Sequence, residues 1–252
     1  MTGASNEAAI RDLLAREEIS VMGTAAIRQL PSAPEDFSPV AVMAGAQSVI
    51  CYGVPIPKGI VYSDDDNPDV YWRYCNMLYR SLDMTSNKLC VALEGAGHLA
   101  SPIYSCYPWR VVNREFWGRV PLVYWAEEAG LGKLSRCGLL ANPVYGTRIL
   151  LGGVITTAEL PPTGRTDGEP CPSDCADCIE ACPVNAIAVG GKVNHDLCMR
   201  HANSSPLLAH LLGDPAVKER FSFEIMLNTV SVDDHASYSC LECLKACPLN
   251  SR

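Results

Sequence analysis

Eight of the 13 cysteines in this 252-residue chain fall after residue 170, at a density of about one residue in ten that ordinary amino-acid usage does not produce. Cys171, Cys175, Cys178 and Cys182 form a C-x3-C-x2-C-x3-C-P run, and Cys240, Cys243 and Cys247 repeat its second half as C-x2-C-x3-C-P. Cys198 stands alone between them. Eight thiolates are what two 4Fe–4S clusters require, four each. Short steps wrap the chain around one cube, whereas the cysteine before proline leads away and ligates the other cluster. That rule predicts a first cluster on Cys171, Cys175, Cys178 and Cys247, and a second on Cys182, Cys198, Cys240 and Cys243. Two zinc ions would also use eight thiols, but through paired C-x2-C hooks, and the doubled Cys-Pro argues against them.

Composition limits what such clusters could serve. The net charge of −8 gives no electrostatic reason to hold DNA or RNA, which needs clustered Lys and Arg. Nearly half the residues are apolar (48%), enough to bury a core, yet no apolar run approaches the roughly 18 residues of a membrane span. The first residues lack the basic-then-apolar order of a signal peptide and contain no twin-arginine pair. A cytoplasmic protein is expected, its thiols reduced and free of a disulfide framework. The five earlier cysteines, Cys51, Cys75, Cys90, Cys106 and Cys137, have no ligand spacing and read as core thiols. Of the histidines, only His98, in the loop EGAGHLA, invites attention. His195, His201, His210 and His235 form no pairing pattern.

Several elements must carry and position these groups. Ile10, Leu13, Leu14 and Ile19 predict helix over 1–30. An apolar β-type run at 48–54 predicts a buried strand. Helical spacing over 68–84 puts Val70, Tyr74, Met77, Leu78 and Leu82 on one face. Residues 88–106 read as a strand or helix end followed by a loop. A helix over 119–132 stops at Gly130. A β-branched run at 148–160 predicts a second buried strand. The Pro- and Gly-punctuated segment 161–170 reads as a linker, dividing the chain into domains at 1–162 and 163–252. One or two short helices are expected within 204–230.

The stretch AEEAGLGKLSRCGLLANPVYGTRILLGGVITTAEL (126–160), followed by the cysteine pattern, resembles the epoxyqueuosine reductases and the reductive dehalogenases. The resemblance covers 119–250 well and the first 118 residues loosely. It implies an α+β protein: a nitroreductase-like α/β domain holding base-off cobalamin, joined to a ferredoxin-like domain with two 4Fe–4S clusters. Electrons from a ferredoxin or flavodoxin would pass through both clusters to the corrinoid, for reduction of a small electrophile such as an organohalide or an epoxide. It also implies corrinoid contacts at Gly130, Leu131, Gly132, Arg136, Pro143 and Tyr145. The same glycines could instead only cap a helix and allow a tight turn. For catalysis the candidates are Arg136, Glu115 (the only carboxylate in the window NREFWGRVPLVYW) and Tyr104, with Tyr107 and Tyr124 as other phenols. Two alternatives stand beside this reading: an electron-transfer protein that reduces a partner corrinoid protein, and an FMN-dependent iron–sulfur reductase.

Overall fold

Side-chain alternation along two central strands sets the architecture. The computed structural model describes residues 3–27, 37–63, 68–105, 109–112, 115–202 and 240–251. Within them β1 (Val21–Ala26), β2 (Ser48–Pro55), β3 (Ala100–Ile103) and β8 (Ile149–Thr156) form an antiparallel sheet in the order β1-β2-β8-β3. In β2, Val49 and Cys51 enter one core with Ile155 of β8, and Ile50 and Tyr52 enter the other with Val154, the period of two that a strand buried on both faces requires. Helix α5 (Leu122–Glu128) covers the first face through Trp125 and Ala126. Helices α1 (Gly3–Arg16) and α4 (Pro68–Gly95) cover the second through Ile10, Leu14, Leu82, Leu89 and Leu93. The result is three layers in an α+β fold.

A third apolar group ties the C-terminal segment to this body. Leu241 and Leu244, at the start and middle of α8 (Glu242–Ala246), pack with Ile56, with Val61 of α3 (Lys58–Val61) and with Cys75 of α4. The segment 161–170 is also pinned. The Thr24 hydroxyl donates to the Pro161 carbonyl, Thr163 N–H to the Thr24 carbonyl (2.9 Å), and Arg165 sits 3.2 Å from the Glu128 carboxylate. Among the described residues no helix is long and apolar enough to cross a membrane.

Both predicted buried strands form, as does the helix before Gly130. Two expectations are corrected. The N-terminal helix ends at Arg16 rather than running to 30. Glu18 turns to a φ of 57°, and Val21–Ala26 instead pair with β2 from Ser48 to Gly53, so sheet pairing overrides local helical spacing. On α4, Val70 and Met77 are 45% and 54% exposed. The inward face is Trp72, Cys75, Leu82, Leu89 and Leu93, because the sheet, not the local pattern alone, selects the buried stripe. The helices expected within 204–230 lie outside the described residues, as does Cys106.

Cys51, Cys75 and Cys90 are core thiols as expected. Burial pushes Cys75 up to about 12 and Cys90 to about 11. The folded protein holds the Cys75 proton after the unfolded chain has released it near 9, so stability is lost as pH rises from about 9 toward 12. Urea unfolding across that range should show the decline, and Cys75→Ala should flatten it; an equal slope in both proteins would refute the assignment. Leu89→Ala, at a site fully buried between α4 and the sheet, should cost about 2–5 kcal/mol in the same measurement.

Candidate metal centre

The chain leaving α5 is steered by two glycines. Gly130 has a φ of +75°, and a Cβ there would collide with the Gly164 carbonyl oxygen; one on Gly132 would strike the Ala141 carbonyl. Leu131, between them, is buried in the core beneath the sheet. Beyond, β6 (Lys133–Leu134) pairs with β7 (Leu140–Ala141) and carries a loop closed by Ser135 N–H to the Leu139 carbonyl (2.9 Å) and Gly138 N–H to Ser135 (3.0 Å). From that loop the Arg136 guanidinium donates to the Cys175 carbonyl and to the Ser173 carbonyl at 2.7 Å, bracing the first cysteine run as a cationic fork.

A second loop follows at 142–148. Asn142 Oδ1 accepts the Val144 and Tyr145 N–H groups (2.9 and 3.1 Å), and its Nδ2 donates to the Leu131 carbonyl (2.6 Å). Pro143 and Tyr145 thus stand in a self-bonded turn. A Cβ on Gly146 (φ +62°) would lie 2.5 Å from the Leu249 carbonyl oxygen, so the turn docks directly on the last cysteine motif. Asn250, fully buried, completes the joint. It accepts Thr147 N–H (2.7 Å) and donates to Thr147 Oγ1 (3.0 Å) and to the Leu244 carbonyl (2.7 Å).

These two loops receive the cysteines. Cys171, Cys175, Cys178 and Cys247 line one space together with Arg136 and Cys137. The other four also gather: Cys198 interacts through space with Cys240 and Cys182, and Cys243 with Cys198 and Cys240. Cys178 is on α6 (Asp177–Glu180), and Cys198 on α7 (His195–Ala202), whose first turn is capped by Asn194 Oδ1 accepting Leu197 N–H (3.1 Å). Among the described residues no three His, Cys, Asp or Glu side chains close on a point to hold a single metal ion.

Hydrogen bonds already reach the sulfurs. Ala186 N–H donates to Cys182 Sγ (3.2 Å). Burial pushes the Cys247 thiol up, opposed by donation from the Thr147 hydroxyl and the Leu249 N–H. Burial, aided by Cys240 and Cys182, takes Cys198 up to about 11. Cys137 is not a plain core thiol: it packs between the two groups, in contact with Cys178 and Cys243. With all three as free thiols, hydrogen bonds from Cys178 and Cys243 pull Cys137 down, and the same contacts, with burial, push those two up.

The catalytic candidates are not brought together. Arg136 lies among the cysteines. Tyr104, 44% exposed, lines a separate cavity of about 220 Å³ with Arg119, Ser101 and Gly118. Glu115 opens β5 (Glu115–Gly118), paired with Val112 of β4 (Trp109–Val112), and its side chain lies outside the described residues, as does Tyr107. Helix α7 runs beside β5, so the element bearing Cys198 adjoins the hairpin whose Gly118 lines the cavity. Trp125 is core, and His98 Nε2 accepts from Asn6 Nδ2 (3.0 Å). Sequence reasoning missed Asn250, Thr147 and the placement of Cys137. A signal existed for Asn250: both Cys-Pro motifs continue x-Asn, at Asn185 and Asn250, and both asparagines close a turn onto their cysteine's carbonyl (3.2 and 3.1 Å).

No family model matches the chain. An epoxyqueuosine reductase from Synechococcus sp. (strain RCC307) is 40% identical over 78 residues, 30% of this chain and 23% of that protein. One from Listeria monocytogenes is 27% identical over 125 residues, 50% of this chain and 28% of that protein. The matched stretches thus span about a quarter of the curated relatives. In fold, a crystal structure of an epoxyqueuosine reductase aligns over 98% of this chain and 66% of its own, at 16% identity and a TM-score of 0.64. The catabolic reductive dehalogenase NpRdhA aligns over 96% of this chain and 31% of its own, at 18% identity and a TM-score of 0.63. A reductive dehalogenase structure described with a mechanism for B12-dependent dehalogenation aligns over 77% of this chain and 28% of its own, at 18% identity and a TM-score of 0.58. The chain therefore has epoxyqueuosine reductases as sequence relatives, and shares its fold with them and with reductive dehalogenases; these relatives are oxidoreductases.

Asn250→Ala would leave the Leu244 carbonyl and Thr147 N–H buried without their partner, and should cost roughly 2–4 kcal/mol in denaturant unfolding of the full chain. A loss under about 0.5 kcal/mol would show that Asn250 does not join the two segments.

Proposed function

We propose that this chain is an iron–sulfur oxidoreductase that passes electrons through two 4Fe–4S clusters to a corrinoid, for reduction of a small electrophile. The observation that carries the reading is the sorting of eight thiols into two adjoining groups of four, with Cys247 joining the first run and Cys182 meeting Cys198 in the second. Within it, residues 1–162 form a nitroreductase-like domain and 163–252 a ferredoxin-like one.

When bound, the clusters would supply one-electron transfer, and a corrinoid the cobalt chemistry at the electrophile. The protein's own groups do the rest. Arg136 fixes the carbonyls of the first cysteine run and places positive charge beside four thiolates. The Ala186 and Leu249 amides and the Thr147 hydroxyl donate to ligand sulfurs, stabilising their negative charge. Tyr104 offers a phenolic proton to a molecule in the cavity it lines, and α7 beside β5 brings Cys198 toward that cavity. The electron donor in this reading is an external ferredoxin or flavodoxin.

The cavity beside Tyr104, at about 220 Å³, is below the roughly 300–1,000 Å³ of ordinary ligand pockets. It suits a small substrate and does not enclose a corrin ring, so no step here is assigned to one. That volume favours a second reading, in which the corrinoid is carried by a partner protein that this chain reduces.

Anaerobic reconstitution of the full chain should give about eight iron and eight sulfide per chain, and Cys171→Ser or Cys198→Ser should each reduce this to about four. Zinc in place of iron, or both variants retaining all eight irons, would defeat the assignment. Cobalamin that stays bound through desalting, with a base-off spectrum, would support the first reading. Cobalamin that washes off, with reduction of an added corrinoid protein, would support the second.

A further inference from the structure

We propose that Cys137 is a hydrogen-bond donor shared by the two cluster sites, its thiol lodged between Cys178 of one group and Cys243 of the other and setting the potentials of both clusters. The proposal rests on the two-cluster reading and extends it to a ninth cysteine. Cys137 lies far from either cysteine run in sequence, yet it is only 8% exposed and lines the space enclosed by Cys171, Cys175, Cys178 and Cys247. It also contacts Cys243 of the other group, and Cys182 packs against the same buried cluster. The β6–β7 loop holds it there: Arg136 on one side is bonded to the first run, and a Cβ on Gly138 on the other would lie 3.1 Å from Val193.

The chemistry follows from counting hydrogens. Cluster-bound Cys178 and Cys243 are thiolates, which accept and cannot donate. The Ser135 hydroxyl, 3.2 Å from Cys137 Sγ, has its single proton 2.7 Å from the Leu139 carbonyl oxygen. The Cys137 S–H is therefore the hydrogen left for these sulfurs, and a charged thiolate is a stronger acceptor than the neutral Ser135 oxygen. A donor to a ligand sulfur stabilises the reduced, more negative cluster over the oxidised one and so raises its potential. Cys137 touches one ligand of each group, so its single hydrogen is divided between the two acceptors and acts on both. It is a positioning and tuning residue, not a ligand.

The test uses the full chain, reconstituted anaerobically, with iron content and an EPR-monitored potentiometric titration. Cys137→Ala should keep about eight irons and shift both midpoints to lower potential. Cys137→Ser, which retains a donor, should restore most of the shift. Unchanged midpoints in a fully loaded Ala variant would overturn the proposal, and so would a shift confined to one cluster. Loss of iron from Cys137→Ala would also overturn it, by making Cys137 a ligand. Wild-type protein that does not load two clusters would fail the underlying reading instead, a result separable from all of these.

Discussion

Eight thiols from two distant stretches of chain are held near one another at the edge of an apolar core. Like charges at such distances repel strongly where water is scarce. Any charge on these thiols is tolerated only where positive charge, hydrogen-bond donors and a rigid support stand beside them. The segment from Gly130 to Arg148 supplies all three. Its first loop offers the Arg136 guanidinium to the early cysteine run, and its second offers Thr147 to the last. The first loop is carried by the β6–β7 pair, and the second leads into β8, a central strand paired along its full length to β2.

Burial then makes the junction specific. Asn250 is fully buried and satisfied by three groups from two segments. A buried amide left half-paired costs more than the net value of its bonds, so the polar joint enforces one register between the second loop and the Cys247 motif. Apolar packing of Leu241 and Leu244 on Ile56 and Val61 adds non-directional attraction. The hydrogen bonds select the geometry that this attraction alone would not.

The stretch that resembles oxidoreductases of known fold is therefore a support for the cysteines. Of the residues expected to touch a corrinoid, Gly130, Leu131 and Gly132 are engaged with the linker, the core and β7, and Arg136 with the cysteine run. Tyr145 is held in the Asn142 turn. Tyr104 faces a different space, small enough for a substrate. The cysteine groups and the cavity beside Tyr104 thus occupy separate places in the molecule, with α7 running beside β5 between them.

The sequence by itself determined the spacing of the cysteines and the two central strands. Ligand spacing is a local property, as is the apolar β-branched run of 149–156, and neither needs a distant partner to be read. The stop of α5 near Gly130 was legible for the same reason, since its positive φ is a one-residue constraint. Tertiary structure decided what depends on a partner far along the chain. The early β1, read as helix, exists because β2 pairs with it. The inward stripe of α4 was chosen by the sheet it meets. Arg136, Asn250 and Cys137 each look ordinary in sequence, and their roles arise only where loops 133–148, 171–198 and 240–251 meet. Spacing records which residues can hold a cluster; only the meeting of separate segments determines which groups stand beside it.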